Sequence, residues 1–511
     1  MRRIGHQTVE PLHSSQDTRA IETEAAATLP AHTLMARAGL AVARLTQALA
    51  PHAQTIWVAC GPGNNGGDGL IAAAHLFMDA QTRGIPRSMC VTLAAHADKL
   101  PTDAAHALQW ALAAGVTLAP EPPSSFDFGI DALLGIGLTR APQGAVDEHL
   151  QRINQSGNPV LCVDVPSGLM ADTGHLLRTG LTSSVPSAPR YTLSLLTLKP
   201  GLFTAHGRDA AGEIWFDDLG QKTTTGIAPT AFLSGFSAHA LSLPPRHASH
   251  KGSNGEVLVI GGQAPTATTT GMMGAAFLAS RAALRMGAGR VYLALLGQSP
   301  SAPSWDPLQP EIMLRSAQAA LQGDLLERSI VVCGCGGGQA IAALLAPVLS
   351  RAKTLVLDAD ALNAIAADTP LQTLLTHRQA KGWTTVITPH SLEAARLLAS
   401  TTDHIMADRL AAAHALSEKF GVICVLKGSG TVIQAPRETP QINASGNGIL
   451  ATAGTGDVLA GMLGAALATQ AGDSTAATRV AQAVFEHGRL ADEWVKNNKG
   501  RALCADQLTQ G

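Results

Sequence analysis

The feature that most restricts how this chain can fold is Thr55-Ile56-Trp57-Val58-Ala59-Cys60, an almost wholly apolar run without alternation, followed at once by Gly61-Pro62-Gly63-Asn64-Asn65-Gly66-Gly67-Asp68-Gly69. A strand that is apolar on both faces must be covered on both, which calls for a parallel sheet between helical layers. An Ala-rich helical stretch is expected before it, from Glu22 to Ala50, and a helix after it, from Leu70 to Asp79. The same strand, glycine turn and helix pattern restarts at Gly255-Glu256-Val257-Leu258-Val259-Ile260-Gly261-Gly262 and continues through a small-residue helix from Gly271 to Gly287. With 511 residues and a norm of about 100 to 200 residues per domain, two α/β domains are expected. Their spans are placed at 1–224 and 225–511, with a linker near 221–228.

Composition narrows the class further. Only 4% of residues are aromatic while 51 are glycine, which suits helices packed through small side chains. Lys plus Arg (36) nearly balances Asp plus Glu (38), so no basic field for nucleic acid exists and an anionic ligand must be held locally. Met1-Arg2-Arg3-Ile4 has no apolar segment behind its charges, so the cytoplasm is the expected compartment. The uncharged run from Ile330 to Ser350 approaches membrane-span length, but Gly334, Gly336, Gly337, Gly338 and Pro347 divide it into strand, turn and helix; no membrane contact is expected. The seven cysteines are scattered, and Cys333-Gly334-Cys335 lacks the paired C-x-x-C spacing of a zinc site, so free thiols are expected.

In the first half, Gly61-x-Gly63-x-x-Gly66 matches the dinucleotide fingerprint as a bare pattern, but the next strand, Met89 to Leu93, ends in Ala94-Ala95-His96 rather than an acid. That argues against a standard dehydrogenase. Asn64, Asn65 and Asp68 supply side-chain oxygens suited to a hard cation or to ligand hydroxyls. Asp131 and Asp164 with Ser167 stand at later strand ends, where a parallel sheet lines one crevice. Singly, Asp131 or Asp164 is more often a strand-end residue bonding a nearby amide; together at successive strand ends they read as a site.

Gly61 to Gly69, Gly135-Ile136-Gly137-Leu138, Val163-Asp164-Val165-Pro166-Ser167-Gly168 and Leu198-Lys199-Pro200-Gly201 together resemble the NAD(P)H-hydrate epimerase domain, a Rossmann-like three-layer αβα fold, over roughly residues 20–220. The resemblance implies that Asn64, Asn65, Gly66, Gly67, Asp68, Gly135, Ile136, Gly137, Leu138, Thr139, Arg140, Ala141 and Asp164 contact a hydrated nicotinamide nucleotide. It implies also that Asn65, Asp131 and Ser167 hold a potassium ion. Asp164 is the best-placed acid for proton movement.

In the second half, Ala453-Gly454-Thr455-Gly456-Asp457 opens an apolar helix, an arrangement that offers free amides to a phosphate and sets a carboxylate beside it. Asp457 reads equally as a general base or as a simple helix-terminal acid. Lys427-Gly428-Ser429-Gly430-Thr431 reads as a nucleotide loop or as a hairpin turn, and no P-loop pattern is present. His250-Lys251-Gly252, Gly261-Gly262, Gly274-Ala275-Ala276, Leu357-Asp358-Ala359-Asp360, Thr388-Pro389-His390, Lys427-Gly428 and Ala453 to Gly461 resemble the ribokinase-like NAD(P)H-hydrate dehydratase. The resemblance implies that Ala275, Gly336, His390 and Asp457 face the hydrated nucleotide, and that Lys427, Gly428, Ser429, Gly430, Thr431 and Gly456 hold ADP or ATP. The chain departs from that family at Gly334-Cys335-Gly336-Gly337-Gly338, where Gly-Pro-Gly-Leu-Gly is usual, and at Ser391-Leu392-Glu393, which keeps only the acid of Pro-Gly-Glu.

These parts fit one chemistry: Asp457 deprotonates the C6 hydroxyl of a hydrated coenzyme, the hydroxyl is phosphorylated, and phosphate leaves. A magnesium ion is expected to bridge the donor phosphates, and a homo-oligomer is expected. A sugar or vitamin-precursor kinase would use the same second-half motifs, whereas a nucleotide sensor without turnover would be marked by a missing acid at position 457, where Asp457 stands.

Overall fold

The computed structural model describes all residues except 178–187, 222–225, 237–246, 248–249, 266–269, 298–303, 470–473 and 510–511. The expected boundary at 224/225 and half of the expected linker therefore lie outside the described residues. The chain forms two compact units, Met1–Gly5 with Glu10–Ala231, and His6–Val9 with Phe232–Gly511.

The first unit contains strands β1 (Arg2–Arg3), β2 (Glu10–Leu12), β3 (Thr55–Cys60), β4 (Ser88–Leu93), β5 (Phe128–Ala132), β6 (Val160–Val163), β7 (Arg190–Leu195) and β8 (Glu213–Asp217). Its helices are α1 (Ser15–Ala27), α2 (Thr33–Leu49), α3 (Asn64–Arg83), α4 (Thr102–Ala113), α5 (Ala145–Gln155) and α6 (Gly207–Ala211). Sheet order is β1-β8-β7-β6-β5-β3-β4, parallel throughout except for β1 against β8. Alternation along β3 builds the layers: Ile56, Val58 and Cys60 pack with α2, α3 and α4, while Trp57 and Ala59 pack with Leu150 and Ile153 of α5. From β3 the chain winds first to β4 and then back to β5 on its other side. That reversal opens a crevice at the carboxyl ends of β3 and β5.

The second unit carries β9 (Ala231–Ser234), β10 (Glu256–Gln263), β11 (Arg290–Leu296), β12 (Met313–Ser316), β13 (Ile330–Cys333), β14 (Thr354–Leu357), β15 (Thr384–Ile387), β16 (Ile423–Leu426), β17 (Val432–Gln434) and β18 (Gln441–Asn443). Its helices are α7 (Met273–Arg285), α8 (Ala317–Leu321), α9 (Leu325–Arg328), α10 (Ala342–Arg351), α11 (Asp360–Ala367), α12 (Thr369–Ala380), α13 (Ser391–Leu398), α14 (Thr402–Ala407), α15 (Arg409–Phe420), α16 (Thr455–Ala468) and α17 (Ala476–Asn497). The strands run β12-β11-β10-β13-β14-β15-β16-β17-β18-β9. They are parallel from β12 to β16, and β17 is antiparallel to both its neighbours. Val257, Val259, Val332, Val356 and Val425 face α7, α16 and α17, while Leu258, Ile260, Val331, Leu355 and Leu357 face the helices α10 to α15. Both units are thus three-layer αβα; β3, β4, β10 and β13 fall on runs expected from the sequence, whereas β1, β2, β9, β11, β12 and β18 fall on none.

Two helical boundaries differ from expectation. The stretch expected as one helix from Glu22 to Ala50 is two, α1 and α2, parted at Leu29-Pro30-Ala31-His32 because Pro30 has no N–H to continue the ladder. The helix expected from Leu70 begins at Asn64, so most of the glycine loop is helical. Gly66 and Gly69 serve close packing there: a side chain on Gly66 would collide with the carbonyl of Gly61, and one on Gly69 would lie 2.6 Å from the Ala132 Cβ. Pro347 lies inside α10 rather than ending it. No helix among the described residues is long and apolar enough to cross a membrane, and all seven cysteines are free, five of them buried, Cys90 partly buried and Cys504 exposed.

Helix α16 is apolar all round and buried between the sheet and α7, which its small residues allow. A methyl group on Gly461 would occupy the place of the Ala279 carbonyl. Gly461→Ala is expected to destabilise the chain by about 1–3 kcal/mol, read as a lower guanidinium midpoint, with an accompanying shift of the residues that α16 carries.

Candidate functional site

A cavity of about 670 Å³ fills the crevice of the first unit. Asn64, Asn65 and Asp68 line it from the start of α3, Gly135 to Leu138 from the turn after β5, and Asp164 from the end of β6. Gly66 and Gly67, expected among the ligand contacts, do not line it; they face inward, Gly67 against Met35. Thr139, Arg140 and Ala141 also lie beyond its wall, the first two exposed.

Asp164 sits at φ 66°, a left-handed backbone that costs energy in a non-glycine residue. The position is fixed by Lys199, whose fully buried ammonium pairs with the Asp164 carboxylate and donates to the carbonyls of Leu195 (2.7 Å) and Thr197 (2.9 Å). Beside this pair, Asp68 and Glu22 take up a proton more readily than usual. Burial, then the charges of Asp164 and Glu22, push the Asp68 carboxyl well above its ordinary range, although its edge is reached from the cavity. Burial and Asp164 push Glu22 up as well. The sequence reading did not single out Glu22, Asp103 or His32, which come from α1, α4 and the cap of α2 and also line the cavity. Lys199 had a visible signal, a lysine between an apolar strand and Pro-Gly.

Asp131 and Ser167 meet behind the wall. The Ser167 hydroxyl donates to Asp131 Oδ1 at 2.6 Å and its amide to Oδ2 at 3.0 Å. Burial raises the Asp131 carboxyl. Asn65 approaches the same turn, its Oδ1 3.3 Å from where a Cβ on Gly135 would stand, and its buried Nδ2 has no hydrogen-bond partner among the described residues. Amide, carboxylate and hydroxyl oxygens around one turn are the donor types that suit a hard cation.

In the second unit, Gly454 (φ 92°) starts α16 in a left-handed turn and Asp457 stands in its first turn. The Thr455 carbonyl in that turn accepts from Nε2 of His487, which burial pushes down to about 4 and thus keeps neutral. Lys427 ends β16, with Nζ 2.6 Å from Asp358 Oδ1 and 3.3 Å from the Cβ position of Gly456. Asp358 also accepts from Thr388 Oγ1 at 2.7 Å. Burial opposes the Lys427 charge, but Asp358 and Glu393 hold it above its ordinary value. Asp457 has the contrary balance: burial and the Asp358 charge push its carboxyl up to about 6. Cys335 joins the group, its sulfur and the oxygens of Asp358 and Asp457 all within 4.8 Å of one another. That thiol was read only as a buried one; its neighbourhood to Asp457 spans more than a hundred residues and left no local mark.

The remaining expected residues cluster nearby in part. Gly336 (φ 57°) packs on the start of α7, where its Cβ would lie 2.9 Å from that of Ala275. His390 caps α13: its Nδ1 accepts from the amides of Leu392 (3.1 Å) and Glu393 (3.3 Å). Lys427 to Thr431 form the hairpin between β16 and β17, with Gly428 (φ 142°) and Gly430 (φ 60°) in conformations that favour glycine. The buried guanidinium of Arg409 lies under this turn and donates to the carbonyls of Leu426 (3.0 Å) and Lys427 (3.4 Å).

A switch-point crevice rimmed by side-chain oxygens, and a second sheet whose strand-end lysine meets a helix N-terminus and two carboxylates, define a fused pair of α/β enzymes for phosphorylated small molecules. The family described as NAD(P)H-hydrate dehydratase matches residues 257–510, and that described as YjeF-related protein N-terminus matches residues 31–201. The chain is 36% identical to the bifunctional NAD(P)H-hydrate repair enzyme of Escherichia coli over 97% of its own length and 92% of that protein's. To the enzyme of the same description from Coxiella burnetii it is 34% identical, covering 97% of each. Among solved structures, an ADP/ATP-dependent NAD(P)H-hydrate dehydratase from Bacillus subtilis is 27% identical over 52% of this chain and 91% of that one, with a TM-score of 0.42. The chain belongs to the bifunctional NAD(P)H-hydrate repair enzymes.

Lys427→Met leaves Asp358, 2% exposed, without its cation. The expected loss is on the order of 3 kcal/mol in guanidinium unfolding, and the Lys427→Met, Asp358→Asn double variant is expected to lose less than the sum of the single changes.

Proposed function

We propose that the second unit, assigned to residues 225–511, returns the S form of hydrated NADH or NADPH to the reduced coenzyme at the expense of an adenine nucleotide, and that the first, assigned to residues 1–224, interconverts the R and S forms at C6. Asp457 takes the proton of the C6 hydroxyl as its oxygen attacks the terminal phosphorus of ADP or ATP, breaking the bridging P–O bond and releasing AMP or ADP. The amides of Gly454 to Gly456 and the Lys427 ammonium take up charge on the phosphoryl group in transfer. The ring nitrogen lone pair then expels phosphate from C6, and loss of a C5 proton restores the double bond. Ala275, Gly336 and His390 border the coenzyme, and Lys427 to Thr431 with Gly456 hold the nucleotide.

One observation carries this reading: Asp457 stands in a helix N-terminal turn beside an ammonium, with a carboxyl raised to about 6. A base in that range is ionised at neutral pH yet takes a proton readily. The cluster of Cys335, Asp358 and Asp457 does not fit magnesium, since a thiol is a poor ligand for it and Asp358 already holds Lys427. No step is assigned to that ion.

In the first unit, Asp164, held in place by Lys199, takes the proton of the C6 hydroxyl as the C6–N bond opens to an aldehyde, and returns it when the protonated ring nitrogen, giving up its own proton, closes on the other face. Potassium would be held by Asn65, Asp131 and Ser167, where it would supply a fixed positive charge near the coenzyme. Free cysteines throughout the chain agree with a reducing cytoplasm.

The protein mixed with both epimers of hydrated NADH and with ADP or ATP is expected to restore reduced-nicotinamide absorbance and release phosphate. Asp457→Asn is expected to cut this rate by at least about 10² to 10⁴ while adenine-nucleotide affinity stays within error; retained turnover removes Asp457 from the role, and a stable phosphorylated product indicates a kinase. Because the base works ionised, turnover should fall as pH drops through about 6, checked by the acid limb of the kcat profile.

A further inference from the structure

Helices α2, α3 and α4 enclose a second cavity in the first unit, of about 570 Å³, which the epimerisation chemistry does not use. Flat rings make its wall. His32 and His106 stack face to face with centroids 3.9 Å apart and planes within 5°. His75 lies 5.0 Å from Trp110. All four line the cavity together with Arg37 and Leu40.

This cavity adjoins the coenzyme crevice, since Ala31, His32, Thr33 and Met35 line both. His32 is fixed at the join. Its backbone is left-handed at φ 64°, and its Nδ1 is bonded to Asp103 Oδ1 at 2.6 Å, a carboxylate that also lines the coenzyme crevice. Tying α2 to α4 needs only that bond. A second imidazole laid flat on the first, and an indole beside a third, give the cavity a set of ring faces that a helix tether does not require. These rings are not core filling either: His106 is exposed, and His32, His75 and Trp110 are half-buried.

We propose that the second cavity seats the adenine ring of the hydrated dinucleotide whose nicotinamide end occupies the first. The inference rests on the epimerase reading above and names the seat of the half that does not react. Every purine has a π face that stacks on imidazole and indole rings, and binding energy from such a remote group is what holds the reacting end in place.

The test compares epimerisation by the full chain of hydrated NADH with that of hydrated reduced nicotinamide mononucleotide, which lacks the adenosine half. Wild-type protein is expected to show the lower KM for the dinucleotide. Trp110→Ala should raise that KM about tenfold, leave the mononucleotide KM unchanged and leave kcat unchanged on both; His106→Ala, at an exposed position, should act in the same direction, and Trp110→Phe should largely restore the KM. The mononucleotide rate reports that the unit is folded. Equal KM increases for both substrates, or no change for either, overturn the adenine seat. Wild-type protein that epimerises neither compound overturns the epimerase reading, and this inference with it.

Discussion

Everything in the second unit turns on one ammonium shared unequally between two aspartates. Lys427 has a single charge, and Asp358 takes it at 2.6 Å with help from Thr388. Asp457 is left in a partly buried turn with a repelling neighbour, and its carboxyl rises to about 6. Were the lysine to sit between the two symmetrically, both acids would be held low and neither would accept a proton readily. Separation of two like groups by their surroundings is the usual way a protein obtains an anchor and a base from the same residue type.

The first unit also commits one acid to a lysine, but there the paired carboxylate, not the raised ones, is the proposed proton carrier. Lys199 is committed to Asp164 and to two backbone carbonyls, while Asp68 and Glu22, desolvated and facing the Asp164 charge, are raised. In both units the lysine follows a strand that is buried along most of its length; the backbone there supplies further acceptors to Lys199, whereas Lys427 bonds the Asp358 carboxylate. The carboxylate thus keeps its geometry without an exposed cation to screen it.

The sequence was most legible where a motif is local. Strand ends, glycine turns and the start of α16 are each written within a dozen residues, so position made Asp131, Asp164 and Asp457 candidates, while Lys427 read equally as part of a hairpin turn. Periodicity misjudged the beginning of α3, because glycine reads as a turn signal whereas Gly66 and Gly69 are required by the close approach of Gly61 and Ala132. It also joined α1 to α2 across Pro30. Partners brought together from distant segments left no trace: Glu22 and Asp103 reach the first crevice from separate helices, and Cys335 meets Asp457 only through the order of the strands.

Arg409 adds a mechanical consequence. Its guanidinium is 1% exposed, belongs to α15 and grips two carbonyls at the tip of β16, while Gly428 leaves no room above it for a side chain. The hairpin from Lys427 to Thr431 is therefore bolted to the layer beneath and is ill suited to swing as a flap. Were an adenine nucleotide held there as proposed, the hairpin would serve as a fixed anvil while the ligand came and went.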